Sequence, residues 1–332
     1  MRYSIIILPL MVVFLSSCPW SGYEYNEGTL PGSPVNLEAF NTEYDDYNMS
    51  SPIFGDMVPF CFSTNRHSLG EEFNIRYDPM SVVFSRTTGE LTLENEYGPW
   101  NSLVEEFGVL LNAVKKVNTT GNELGPCLLY SREADFADAQ FVLMYASDLG
   151  GDFDIGYTFN SSTSDFSDSQ PVAFLNSGFN DLYPSFNSDF SKIYFCSDRE
   201  GEVFNIFKVD VEYSGDSIIG VLSSTGDHVI EIDAVLSSEY DDKCPYIFEN
   251  TLVFTSNRPG GSGGFDLYYS KFEGGQWGTP VNFGAVINTA FDEYRPILFE
   301  EDVDNDRDMM IFSSNRSGGK GGFDLYFVGV IN

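Results

Sequence analysis

Acidic side chains dominate the groups that could do chemistry in this chain: 50 Asp and Glu stand against 17 Lys and Arg and 2 His, a formal net charge of −33. Asp302, Asp304 and Asp306 have the one-three-five carboxylate spacing of a calcium loop, which takes oxygen ligands at alternate positions. The rest departs from that pattern, with Arg307 where a glycine makes the turn and Ser313 where a glutamate closes the coordination shell. An acidic hairpin tip is the preferred reading, so no cofactor is required and calcium is the only one considered. His67 and His228 flank no serine-elbow or metal motif. Counting carboxylates does not discriminate a glycosidase in so acidic a chain. The run Gly260-Gly261-Ser262-Gly263-Gly264 has no following helix and no Lys-Ser/Thr pair, so it is no phosphate loop. Its glycines read as positive-φ residues of a tight turn between strands. Cys61, Cys127, Cys196 and Cys244 match no metal spacing and fall in or beside predicted strands, as buried thiols do.

The elements that carry these residues repeat. Thr255-Ser256-Asn257-Arg258 leading to Phe265-Asp266-Leu267-Tyr268 recurs 58 residues later as Ser313-Ser314-Asn315-Arg316 leading to Phe323-Asp324-Leu325-Tyr326. Weaker copies begin at Ser63, Ala146 and Cys196. A second motif precedes each copy: Asn118, Asn176, Ser237 and Asn288 stand eight before Pro126, Pro184, Pro245 and Pro296, with Glu123, Asp181, Asp242 and Glu293 three before each proline. In the first copy Asn41 is eleven before Pro52, which puts Met49 at the acid position. Runs of aromatic and β-branched residues between Gly, Pro, Asn and Asp clusters predict four short strands, a to d, per repeat. Leu103 to Lys116 is the one weak helix candidate.

Four-stranded units at this period resemble propeller blades. Ser-Asn-Arg-x-Gly-Gly-x-Gly-Gly-Phe-Asp-Leu-Tyr, then Gln276-Trp277-Gly278-Thr279-Pro280-Val281-Asn282-Phe283-Gly284, then Asn288-Thr289 with Asp292-Glu293 and Pro296, resembles the PD40 (WD40-like, TolB-like) repeat of Bacteroidota-type lipoproteins. The resemblance is strongest over residues 237 to 328. It implies an all-β propeller and an outer-membrane or cell-surface location. The last repeat lacks strand d, and Ser33-Pro34-Val35-Asn36-Leu37 matches Thr279-Pro280-Val281-Asn282-Phe283. The N-terminal strand is therefore predicted to complete the last blade, which removes two open sheet edges. Five four-stranded blades result; the long step from Asn65 to Asp148 leaves a sixth, degenerate blade as the alternative.

Arg66, Arg199, Arg258 and Arg316 fall on b–c loops and the acids on d–a loops of the same face. Arg199–Asp181, Arg258–Asp242 and Arg316–Glu293 are pairs within blades; pairing to the next blade, with Arg66–Glu123, is the alternative. Irregular insertions fall on the opposite face, at Arg86 to Phe107 with Trp100, at Glu133, Asp135 and Asp138, and at Glu300 to Asp308. Trp100, Glu133, Asp135, Asp138 and Asp308 are candidate partner contacts. Trp277 lies in the repeat motif and reads as packed.

Residues 1–17 read as a signal peptide, with an apolar run from Ile5 to Leu15 too short to span a bilayer. Leu15-Ser16-Ser17-Cys18 resembles a lipobox, so Cys18 is the predicted lipidation site, residues 18–33 a tether and 34–332 the propeller. The charge disfavours nucleic acid and anionic lipid headgroups, so the membrane is met only through the anchor. Acids that obey the repeat argue for a structural use. The reading is a non-enzymatic surface lipoprotein that binds another envelope protein. A glycan-binding module is the alternative, and a carboxylate-dependent propeller glycosidase a further one.

Overall fold

Short apolar runs separated by turn residues cannot bury a face alone, so they must stack as sheets. The computed structural model describes residues 29–50, 57–85, 87–89, 91–95, 108–131, 140–160, 165–213, 218–299 and 307–331. The strand β1 (Val35–Asn36) precedes blade 1, which consists of β2 (Asp46–Ser50), β3 (Met57–Thr64), β4 (Asn74–Phe84) and β5 (Leu91–Glu94). The helix α1 (Leu110–Val117) leads into blade 2, formed by β6 (Glu123–Ser131), β7 (Gln140–Ser147), β8 (Asp154–Phe159) and β9 (Gln170–Pro171). Blade 3 comprises β10 (Asp181–Phe186), β11 (Lys192–Ser197), β12 (Asn205–Asp210) and β13 (Ile230–Ile232), with α2 (Ile218–Leu222) before the last strand. In blade 4, β14 (Asp242–Phe248), β15 (Thr251–Ser256) and β16 (Asp266–Glu273) are followed by β17 (Gln276–Trp277) and β18 (Val281–Asn282), both paired to β16. Blade 5 is β19 (Glu293–Phe299), β20 (Arg307–Ser314) and β21 (Asp324–Ile331), completed by β1.

The ring closes as the sequence predicts. Val35 lies opposite Phe327 and Asn36 opposite Tyr326. Leu37 N–H donates to the Leu325 carbonyl at 2.9 Å, continuing the ladder one residue further. Leu30, Leu37 and Phe40 then enter a core shared by blade 1 (Phe60, Phe62, Met80) and blade 5 (Ile297, Met309, Leu325). The innermost strands follow one another around the axis in the order β2, β6, β10, β14, β19 and back to β2. Five blades account for the described residues, and α1 occupies the long step where a sixth was considered. Its Leu110, Ala113 and Val117 pack with Ile75, Tyr77, Phe141 and Leu143.

Each innermost strand bulges once against its neighbour. At its third residue φ is positive: Asn48 (51°), Gly125 (59°), Tyr183 (58°), Cys244 (57°) and Arg295 (47°). A bulge re-aims a side chain, and these five turn inward on the axis. Only Gly125 adopts this conformation freely; the others cost about 1–3 kcal/mol each and persist because the ring over-determines them. A Cβ at Gly125 would overlap the Tyr183 ring, so the glycine is also set by the space that ring takes.

The first repeat is regular once its register is visible. Asp46 opens β2 opposite Thr64, and Met49, eight after Asn41, holds the position of the repeat's proline. The acid of blade 1 is therefore Asp46, which corrects the alignment through Pro52. The glycine reading is corrected in part as well. Of the glycines from Gly260 to Gly264, only Gly260 has positive φ (98°). A Cβ on Gly263 would run into the Phe291 carbonyl, and one on Gly264 into Asp292. Those two are small so that the b–c loop can lie on the next blade.

Candidate functional site

The repeated charged motif builds the frame of one face. Arg66–Asp46, Arg199–Asp181, Arg258–Asp242 and Arg316–Glu293 all pair within a blade, the last at 3.0 Å. The four carboxylates have no exposed side-chain surface. Each arginine also donates to the hydroxyl that ends strand b (Thr64, Ser197, Ser256, Ser314) and to a carbonyl on the d–a loop (Phe40, Leu175, Leu236, Ile287). The within-blade arrangement is thus the one adopted, and these groups are committed to structure.

A second set of pairs locks the d–a loop to the b–c turn: Asp45 with Asn65, Asn122 with Asp148, Asn180 with Asp198, Asp241 with Asn257, and Asp292 with Asn315. Every pair joins one amide to one carboxylate, and the two chemistries exchange places in blades 2 and 3. Matching a donor to an acceptor avoids two facing carboxylates.

Blade 2 lacks the arginine; Leu149 follows Asp148 instead. Glu123 is buried, accepting from Thr119 N–H (3.1 Å), Thr119 Oγ1 (2.6 Å) and Ser147 Oγ (3.0 Å). Burial raises its pKa above 4.5, against the lowering by those hydrogen bonds. A raised folded-state value means that Glu123 stabilises the fold while protonated. That contribution is full below about pH 4.5 and is lost as pH rises through the folded value. Glu123→Gln should therefore raise the urea midpoint at pH 7, with the difference from wild type disappearing near pH 4. A lower midpoint at pH 7 would contradict this account of blade 2.

Above the axis, the second residue of each innermost strand forms an inner ring: Tyr47, Leu124, Leu182, Lys243 and Tyr294. An outer ring of five phenylalanines surrounds it, one at the start of each strand c: Phe73, Phe153, Phe204, Phe265 and Phe323. Their positions are set by backbone. Each phenylalanine carbonyl accepts the N–H of the next blade's motif acid at 2.7–2.8 Å. Each phenylalanine N–H donates to the Asn or Asp preceding that acid.

The rings meet. The Tyr47 ring lies 5.1 Å from Phe323, 5.7 Å from Tyr294 and 5.9 Å from Phe73, and Tyr294 lies 4.8 Å from Phe265. Lys243 Nζ stands 4.1 Å from the Phe204 ring and 5.4 Å from Phe265, with Asp241 at 3.8 Å. All these rings are half-buried. The result is an aromatic cluster around one lysine at the mouth of the axis. Convergent aromatic faces with a few polar groups fit a ligand with an apolar face and a polar edge. Sequence reasoning assigned these phenylalanines to strand c alone. The signal available was that each of the five copies keeps a phenylalanine there although strand c begins only at the next residue.

Of the residues singled out from sequence, Cys18, Trp100, Glu133, Asp135, Asp138, Asp302, Asp304 and Asp306 lie outside the described residues. Asp308 is the second residue of β20, buried opposite Val330, so it is a strand residue and no part of a loop tip. It lines a cleft of about 510 Å³ between blades 4 and 5 with Lys271 and Arg307. Trp277 is packed, its Nε1 donating to Tyr194 Oη at 3.0 Å. The four thiols are free and buried. Among the described residues no group of three His, Cys, Asp or Glu side chains could hold a metal, and no helix is long and apolar enough to cross a membrane.

No protein-family model matches the sequence, and no curated protein does. Solved structures do match in fold. A GH62 hydrolase in complex with xylotriose is similar at TM-score 0.50 and 9% identity, over 92% of this chain and 97% of that one. GH43B of the Bacteroides ovatus xyloglucan PUL is similar at TM-score 0.50 and 14% identity, over 90% of this chain and 54% of that one, so this chain spans about half its length. At such identities the likeness is one of fold. The expectation of a non-enzymatic protein-binding scaffold is corrected on this finding: the two neighbours on this fold are a GH62 hydrolase and GH43B of a xyloglucan PUL.

Proposed function

We propose that this chain is a carbohydrate-active propeller that seats a glycan on the aromatic mouth of its axis, with hydrolysis of a glycosidic bond the first reaction to assay. The observation that carries this is the double ring itself: seven partly buried aromatic side chains converge with Lys243 at one end of the axis. A sugar ring presents C–H groups to such faces and hydroxyls to an ammonium. The GH62 hydrolase of similar fold, solved in complex with xylotriose, supports the reading. The lipobox-like start and the PD40-like motif support placing it at the envelope, anchored through Cys18, where extracellular glycans are met.

The test pairs a glycan array with a reducing-sugar assay on the polysaccharides that bind. Tyr294→Ala should weaken binding at least tenfold while the thermal midpoint shows a folded protein, because Tyr294 touches Tyr47, Phe265 and Phe323 at once. Unchanged binding in this variant, or no bound glycan for the wild type, would remove the mouth as the site.

A further inference from the structure

Outside the mouth, one position of the repeat carries aromatic side chains that the fold does not use. Two residues before the motif acid stand Tyr44, Gly121, Phe179, Tyr240 and Phe291. Each backbone N–H there donates to the hydroxyl two residues earlier at 3.0–3.4 Å, so the same turn sets the position in every blade. Phe179 (50%), Tyr240 (41%) and Phe291 (42%) are exposed, and Tyr44 is partly so. Among the described residues none of the four rings touches another aromatic ring or packs into a hydrophobic core. The glycine of blade 2 has a steric reason: a Cβ on Gly121 would meet Asp148 Oδ1 at 2.7 Å and the Leu149 backbone nitrogen at 3.0 Å. A single exposed apolar side chain is ordinary, but recurrence at one place around a ring of loops marks a surface kept for a ligand.

Two of these rings stand in the sector of Lys243. Phe204 N–H donates to Asp241 and Phe265 N–H to Asp292, both at 2.9 Å. Tyr240 and Phe291 immediately precede those aspartates. The d–a loop runs from an outer strand to an inner one, so both lie outward of the two mouth phenylalanines that Lys243 Nζ faces. A sugar held at Lys243 has its next aromatic faces there. Charge on the same loops restricts the ligand. Glu43, Glu71, Glu200, Glu202 and Glu239 are exposed on them. Against these, the one exposed Lys or Arg among their described residues is Lys320, whose Nζ donates to the Glu38 carbonyl at 2.6 Å. Such a face repels anionic chains.

We propose that the ligand of the mouth is an uncharged polysaccharide that leaves the axis over the loops flanking blade 4, stacking on Tyr240 and Phe291. This rests on the reading of the mouth as a glycan site and adds the length, charge and direction of the chain.

The test uses the full chain and calorimetry. The probes are oligosaccharide ladders, disaccharide to octasaccharide, of xylan, mannan and mixed-linkage glucan, with polygalacturonate and alginate as anionic chains. The wild type should bind the octasaccharide of its preferred series more tightly than the disaccharide. In Tyr240→Ser with Phe291→Ser the ratio of those affinities should fall about tenfold, the effect of losing two stacking faces. Tyr44→Ser with Phe179→Ser, in the sectors away from Lys243, should keep the ratio. If no oligosaccharide of any length binds, the mouth falls as a glycan site and this inference falls with it. If disaccharides bind but the ratio survives in Tyr240→Ser with Phe291→Ser, or is lost in the other pair instead, the outer positions alone are overturned. Polygalacturonate or alginate bound as tightly as the neutral chains would overturn the restriction to uncharged glycans. Should a variant not fold, equal wild-type affinity for octasaccharide and disaccharide is enough to overturn the outer positions.

Discussion

Phe40→Ala is expected to lower the unfolding free energy by about 3–5 kcal/mol, the range for truncating a fully buried phenylalanine. Phe40 follows the closing strand and is 1% exposed. Its ring meets Phe60 edge-on at 5.3 Å and Phe62 at 6.5 Å, both in β3. Its carbonyl also accepts from Arg66 and its N–H donates to the Leu37 carbonyl at 2.9 Å. Alanine keeps those backbone bonds, so the loss isolates packing between the closing segment and blade 1. Equilibrium urea unfolding measures it. A loss below about 1 kcal/mol would mean that the site collapses around the cavity and that closure does not lean on this ring. The variant should also populate an open form in which the β21 edge is free, visible as concentration-dependent association.

Arg258→Ala should cost a similar amount, about 3–5 kcal/mol, because it strands the buried carboxylate of Asp242. Asp242 has no exposed side-chain surface and keeps only Ser238 N–H and Oγ as donors. Arg258 also ties the hydroxyl of Ser256 to the Leu236 carbonyl, so three elements of blade 4 lose their common partner. The double variant Arg258→Met with Asp242→Asn removes the charge imbalance and should recover at least half of the loss. If the double variant is as unstable as the single, the cost lies in packing and not in the stranded charge. Blade 2 is the natural comparison, since Glu123 already lives without an arginine behind hydroxyl donors.

What the sequence disclosed followed from repetition. Ring closure, the five blades and the within-blade option for Arg199, Arg258 and Arg316 were legible because several copies share one spacing. The register of blade 1 was obscured by Pro52, a true proline three residues beyond the position that Met49 fills. The helix Leu110–Val117 overlaps the weak candidate segment and ends one residue beyond it, but it is only eight residues long, and it is held by Ile75 and Tyr77 from blade 1 and Phe141 from blade 2. The axis was the least legible part. Its third-position residues are Asn, Gly, Tyr, Cys and Arg, which share a backbone conformation and no chemistry. A pattern of residue types cannot reveal a pattern of φ. The mouth was hidden for a related reason: its phenylalanines come from strands far apart in sequence and converge only because the sheets are wound into a circle.

The exchange of amide and carboxylate between the d–a loop and the b–c turn bears on how such a chain can grow by gene duplication. A crossover between Asn122 and Asp148 that imported the distal half of blade 4 would face amide with amide at Asn122 and Asn257. The reciprocal product would face acid with acid at Asp241 and Asp148. Viable recombination must therefore inherit both halves of a pair together. The hereditary unit runs from one d–a loop to the next, and breakpoints inside it are purged whatever the similarity of the flanking strands.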